Sequence, residues 1–92
     1  MFVSSCEMQF RIPYSASLKD KRAVSRSLLD GIRKKYHTAA AEVDTTDYHQ
    51  LLTIGVAVVS GDASQAVKML EAVIRYAENH ADADIVWIRR YE

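Results

Sequence analysis

Apolar and polar residues alternate along residues 6 to 12, with Cys6, Met8, Phe10 and Ile12 on one side and Glu7, Gln9 and Arg11 on the other. A period of two with one apolar side predicts a β-strand that buries a single face. Pro13 ends it, and Ser17-Leu18-Lys19-Asp20 has the form of a helix start, with Ser17 as N-cap and an acid three positions on. The period then changes. Val24, Leu28, Leu29, Ile32 and Tyr36 recur at helical spacing, while Arg22, Arg26 and Arg33 fall off that stripe, so an amphipathic helix is predicted to about Tyr36.

Residues 37 to 43 suit a short strand, although Ala39-Ala40-Ala41 leaves its inward parity open. Asp44-Thr45-Thr46-Asp47 is turn chemistry, and the nearly continuous apolar run from Leu51 to Val59 around Gly55 predicts a central strand paired with the preceding one as a hairpin. Ser60-Gly61-Asp62 breaks that strand. Asp62 is a fair N-cap with Gln65 at the third helical position, and Ala66, Val67, Leu70, Val73, Ile74 and Ala77 supply a second helical stripe to about Asn79. Its other side carries Lys68, Glu71, Arg75 and Glu78 at pairing distance, as a solvated face does. Residues 85 to 91 form the last strand, with Val86 and Ile88 expected inward and Trp87, Arg89 and Tyr91 outward.

The order strand, helix, strand, strand, helix, strand constrains the fold. Right-handed crossovers put both helices on one side of the sheet. The expectation is an α+β ferredoxin-like βαββαβ sandwich: a four-stranded antiparallel sheet, strands one and three central, two helices on one face. The other face is left uncovered. With 92 residues there is room for one domain over 1–92.

Composition narrows the classes. Of the residues, 49% are apolar and 26% charged, an ordinary globular balance that excludes a disordered or collagen-like chain. The lone cysteine, Cys6, cannot form an intramolecular disulfide and falls on the inward parity of its strand, where a buried structural thiol is expected in place of a nucleophile. No signal peptide or membrane helix is read in the chain, and a cytoplasmic location is expected. The glycines form no phosphate cradle and no cofactor is expected. His37 and His49 could meet across the hairpin. With Glu42, Asp44, Asp47 and His49 they make the one cluster that resembles a metal, ligand or acid/base site, so the 42–50 hairpin carries the alternative reading of a small-ligand or metal-binding homodimer or an enzyme.

The net charge is zero, yet residues 19 to 35 hold seven basic side chains against two acidic ones, a net of plus five that the remainder must balance. A neutral chain with one basic helix has a directional field. Lys19, Lys21, Arg22, Arg26, Arg33 and Lys34 are the candidates for phosphate contacts with RNA. The uncovered sheet face offers small or polar central residues, Thr53, Gly55, Ala57 and Val59, and lacks the aromatics on which an RNA-recognition motif stacks bases. Beside them, Trp87, Arg89 and Tyr91 form a stripe suited to a protein contact, and a homodimer through Gly55, Ala57, Val59 and that stripe is the simplest use.

Ser17-Leu18-Lys19-Asp20-Lys21-Arg22, then Ala41-Glu42-Val43-Asp44, Asp47 and Gln50, then Gly55-Val56-Ala57-Val58-Val59 resemble the YlxP-like family of small bacterial proteins, a domain of unknown function (DUF503), over nearly the whole chain. The resemblance implies a ferredoxin-like fold, a bacterial cytosolic protein, and a gene near those for translation initiation and ribosome maturation. It implies no established activity. This sequence departs from the pattern at His49, where an aromatic usually precedes the glutamine, and at Thr38 and Ala40, where valines are usual. Taken with the basic helix, the expectation is a non-enzymatic accessory protein whose partners are ribosomal RNA or a ribosomal protein.

Overall fold

The computed structural model describes residues 1–80 and 83–91. Six elements follow the expected order: β1 (Phe2–Arg11), α1 (Leu18–Tyr36), β2 (Ala39–Asp44), β3 (Leu51–Ser60), α2 (Ala63–His80) and β4 (Asp84–Tyr91). The four strands form one antiparallel sheet in the order β2-β3-β1-β4, so β1 and β3 are central as the crossover rule requires. Both helices lie on one face, α1 over β2 and β3, α2 over β1 and β3. The fold is the α+β, ferredoxin-like arrangement expected from the element order.

Period-two side chains make the floor of the core and period-3.6 side chains its roof. Cys6, Met8 and Phe10 of β1 and Leu52, Ile54, Val56 and Val58 of β3 meet Leu28, Leu29 and Ile32 of α1 and Leu70, Val73, Ile74 and Ala77 of α2. Removing each large side chain of this set from water contributes roughly 1.5–3 kcal/mol. The helix starts are fixed by their caps. Ser17 Oγ accepts from the Asp20 N–H at 3.1 Å, while Asp20 reaches back to accept from the Ala16 N–H at 3.0 Å; Asp62 Oδ1 accepts from the Gln65 N–H at 3.0 Å. His37 closes α1 in the left-handed region at φ 50°, its N–H on the Arg33 carbonyl.

β1 begins at Phe2, four residues before its alternation becomes readable, because Val3, facing the uncovered side, pairs with Val59. The parity that the alanine run left open is resolved by burial: Ala40 and Glu42 face the helices, and Ala39, Ala41 and Val43 face the uncovered side. β4 departs from expectation at Val86, and Ile88, though paired with Met8 on the helix side, is 38% exposed. The register against β1 slips after Gln9, which pairs with Trp87 while Phe10 pairs with Ile85, so Val86 is the extra residue of a bulge and stays exposed. Ile85, not Val86, packs on the core with the inward side.

Candidate functional site

Two regions of the molecule carry the chemistry read from the sequence: the outer side of α1 and the hairpin between β2 and β3. On α1, Lys19, Arg22, Arg26, Arg33 and Lys34 are all exposed. At about 100° per residue they fall within roughly 120° of the helix circumference. Arg33 is partly committed. Its Nε donates to the Ala40 carbonyl at 3.0 Å, and Nη1 stands 3.5 Å from Asp30. Among the described residues no carboxylate pairs with Lys19, Arg22, Arg26 or Lys34.

Lys21 does not belong to this surface. It is 1% exposed, and its ammonium donates to the Thr45 and Thr46 carbonyls at 2.7 and 3.0 Å and meets Glu42 Oε2 at 3.0 Å. Glu42 Oε2 is buried in turn, and that ammonium is its one compensation among the described residues. A charge run hides this. The readable signal is Lys21, Ser25, Leu28 and Ile32, whose spacing of four, three and four places the lysine on the inward stripe.

The hairpin cluster is likewise split. Glu42 points into the helix layer, Asp44 accepts from the Thr45 N–H of its own turn at 2.8 Å, and Asp47 and His49 line a separate exposed hollow with Arg11, Tyr48 and Gln50. His37 cannot reach His49, because β2 lies between them and its six residues span about 20 Å. No three of His, Cys, Asp and Glu converge among the described residues. Thr45 sits at φ 54°, a costly place for a β-branched residue. Its carbonyl is held by Lys21, and its hydroxyl by the Asp44 carbonyl at 2.8 Å and by the buried Thr53 hydroxyl at 2.9 Å. Gln50 completes the corner, its Nε2 donating to the Pro13 and Ser15 carbonyls at 3.2 and 3.3 Å.

The Ser17–Asp20 cap, the Lys21–Glu42 pair and Gln50 thus gather much of the sequence motif at one corner, where it ties the hairpin to the start of α1. A family model described as "Protein of unknown function (DUF503)" matches residues 3–90. The chain belongs to that family. It is also 29% identical over 70 residues to the Uncharacterized protein YlxP of Bacillus subtilis (strain 168), covering 76% of each chain. In this DUF503 chain Lys21 and Gln50 of the motif tie the hairpin to the segment that starts α1, while Asp47 and His49 stay exposed at the separate hollow.

Cys6 is 1% exposed beneath α2, and burial pushes its thiol up to about 11, with Arg90 lowering it and Glu7 raising it by smaller amounts. A thiol held protonated is a poor nucleophile. On the uncovered face Arg89 stands over the Trp87 ring at 5.5 Å, and the Tyr91 hydroxyl donates to Glu7. Trp87 is therefore half-buried, while Val59 is exposed. Gly55 is roofed by Val43, which an added Cβ would meet at 2.9 Å. Among the described residues no helix is long and apolar enough to cross a membrane.

Proposed function

We propose that this protein is a non-enzymatic cytoplasmic accessory factor that binds structured RNA through phosphate contacts from the solvent side of α1. One observation carries the reading: Lys19, Arg22, Arg26 and Lys34 share an arc of a rigid helix, exposed and without carboxylate partners among the described residues. Phosphate recognition needs fixed cations at backbone spacing and no base readout. The choice of RNA over other polyanions follows the gene neighbourhood that the family resemblance implies, with ribosomal RNA as the first substrate to try. Engaging four phosphates makes affinity fall about a hundredfold as salt rises from about 50 mM to about 200 mM. Fluorescence anisotropy with a labelled ribosomal RNA hairpin reads this directly. Arg22→Glu with Arg26→Glu is expected to abolish binding at the lower salt; unchanged affinity in that variant would overturn the reading.

The uncovered sheet face supports a second contact, with another copy of the chain. Ser5, Ala41, Gly55 and Ala57 line a shallow hollow of about 470 Å³ with Tyr91 at its edge. Around it Val3, Val43 and Val59 are 49%, 50% and 59% exposed, a larger apolar surface than single scattered side chains provide. The face carries both signs, Arg11 and Arg89 against Glu7, so a two-fold pairing can set unlike charges opposite each other. Sedimentation equilibrium at micromolar concentration is expected to give twice the chain mass, and Ala57→Arg to give the single mass with helical content intact. A wild-type protein of single mass rules the pairing out.

A further inference from the structure

Beyond the arc of α1, the C-terminal turns of the two helices enclose an open cleft of about 490 Å³, lined by Lys35, Tyr36, Arg75, Tyr76, Asn79 and His80. Its construction begins with Gly31. A Cβ there would strike the Tyr76 hydroxyl, so the missing side chain is what lets Tyr76 reach across to α1. Tyr36 meets Tyr76 edge to face, with centroids 5.7 Å apart at 77°, and His80 stacks on Tyr76 at 4.9 Å and 18°. A 3.2 Å hydrogen bond between Ser27 Oγ and His80 Nε2 ties the stack back to α1.

Two cations attend the three rings. Lys35 Nζ stands 5.6 Å from the Tyr36 centroid and 5.2 Å from that of Tyr76, and Arg75 is exposed at the rim. No acidic side chain lines the cleft among the described residues. Close-packed rings alone would be ordinary interhelical packing; half-buried rings at the wall of an open cleft, flanked by cations and, among the described residues, without a carboxylate in its lining, suit a flat π-system that carries negative charge. An unpaired nucleotide has both parts. Its base can stack on tyrosine or histidine, and its phosphates accept from lysine and arginine. A base inside a duplex has its faces covered and cannot use such a cleft.

We propose that this cleft takes an unpaired nucleotide of RNA, the base stacked on one of the two near-perpendicular tyrosine rings, Tyr36 or Tyr76, with its edge toward the other, and the flanking phosphates held by Lys35 and Arg75. The inference rests on the RNA reading above and extends it from duplex backbone to single-stranded segments. Lys34 ends the basic arc and Lys35 projects about 100° further round the helix, so a strand that crosses α1 at its last turn passes from the arc to the cleft. Lys35 now covers the ring faces. An exposed cation–π contact is weak beside base stacking, and this ammonium has no carboxylate partner among the described residues, so an incoming base displaces it toward the phosphate.

The test compares a blunt RNA hairpin with the same hairpin bearing a single-stranded 3′ extension, by anisotropy. For the wild-type protein the extension is expected to tighten binding about tenfold, a gain that needs the base stacked and its flanking phosphates held together. Lys35→Ala with Arg75→Ala, two exposed positions that leave the core intact, should erase most of that ratio. Arg22→Glu with Arg26→Glu should weaken both RNAs equally and preserve it. Equal affinity of the wild-type protein for the two RNAs, or a ratio unmoved by the Lys35 and Arg75 changes, overturns the cleft proposal while leaving the arc reading intact. If neither RNA binds, the arc reading fails, and adenosine monophosphate decides the cleft alone. Perturbed Tyr36 and Tyr76 ring resonances on its titration would support the site, and unperturbed ones would sink it.

Discussion

Lys21→Ala is expected to destabilise the protein by about 3 kcal/mol, far beyond what an arginine of the same helix costs. Breaking a buried ion pair by removing one partner is worth roughly 3–5 kcal/mol, and the 18% exposure of the Glu42 side chain places this pair at the lower end. The variant strands Glu42 Oε2 and takes the donor from two carbonyls that hold Thr45 in its strained conformation. For a domain of this size the loss lowers Tm by roughly 12–25 °C. Urea unfolding checks it, with Arg22→Ala as the control expected to stay within about 0.5 kcal/mol of wild type. Lys21→Met combined with Glu42→Gln should recover part of the loss, because neither replacement leaves a buried charge without its partner. If Lys21→Ala unfolds at the wild-type urea midpoint, the lysine is a surface cation after all and joins the exposed basic arc of α1.

Phe10→Ala is expected to cost about 3–5 kcal/mol, enough to bring the domain close to unfolding at ambient temperature. Phe10 is 0% exposed at the centre of the core, paired with Leu52 on one side and Ile85 on the other, next to the β4 bulge. Neighbours on both flanks belong to hydrogen-bonded strands and cannot collapse into the space. The comparison is Trp87→Ala, a larger deletion on the half-exposed uncovered face, where less apolar surface leaves water. Thermal unfolding of the two variants should rank them in that order, and the reverse ranking would mean that the sheet face, not the helix side, holds the main core.

Periodicity made most of the fold legible. The alternation of Cys6, Met8 and Phe10 and the stripe of Leu28, Leu29 and Ile32 each state a geometry, and chirality then leaves one side of the sheet for both helices. What escaped was local. The bulge at Val86 shifts parity by one residue with no glycine or proline to mark it, and three alanines fit either face of β2. Charge was read least well, because residue type does not say whether an ammonium meets water or carbonyls. Lys21 looks like its neighbours until its spacing from Ser25 and Leu28 is weighed. The histidines fail for a related reason: proximity along the hairpin sequence is not proximity across it when six residues of extended strand separate them.

Placing both helices on one side of the sheet has a consequence for assembly. If two chains join through their uncovered faces, the α1 surfaces end up on opposite outer sides of the pair, so neither blocks the other. If those surfaces bind RNA as proposed, a single RNA long enough to wrap the pair is gripped twice, the second grip occurring at the high local concentration set by the first. Such avidity depends on the length of the RNA. Short hairpins would bind with the strength of one arc, and longer ones would bind more tightly with no new contact in the protein.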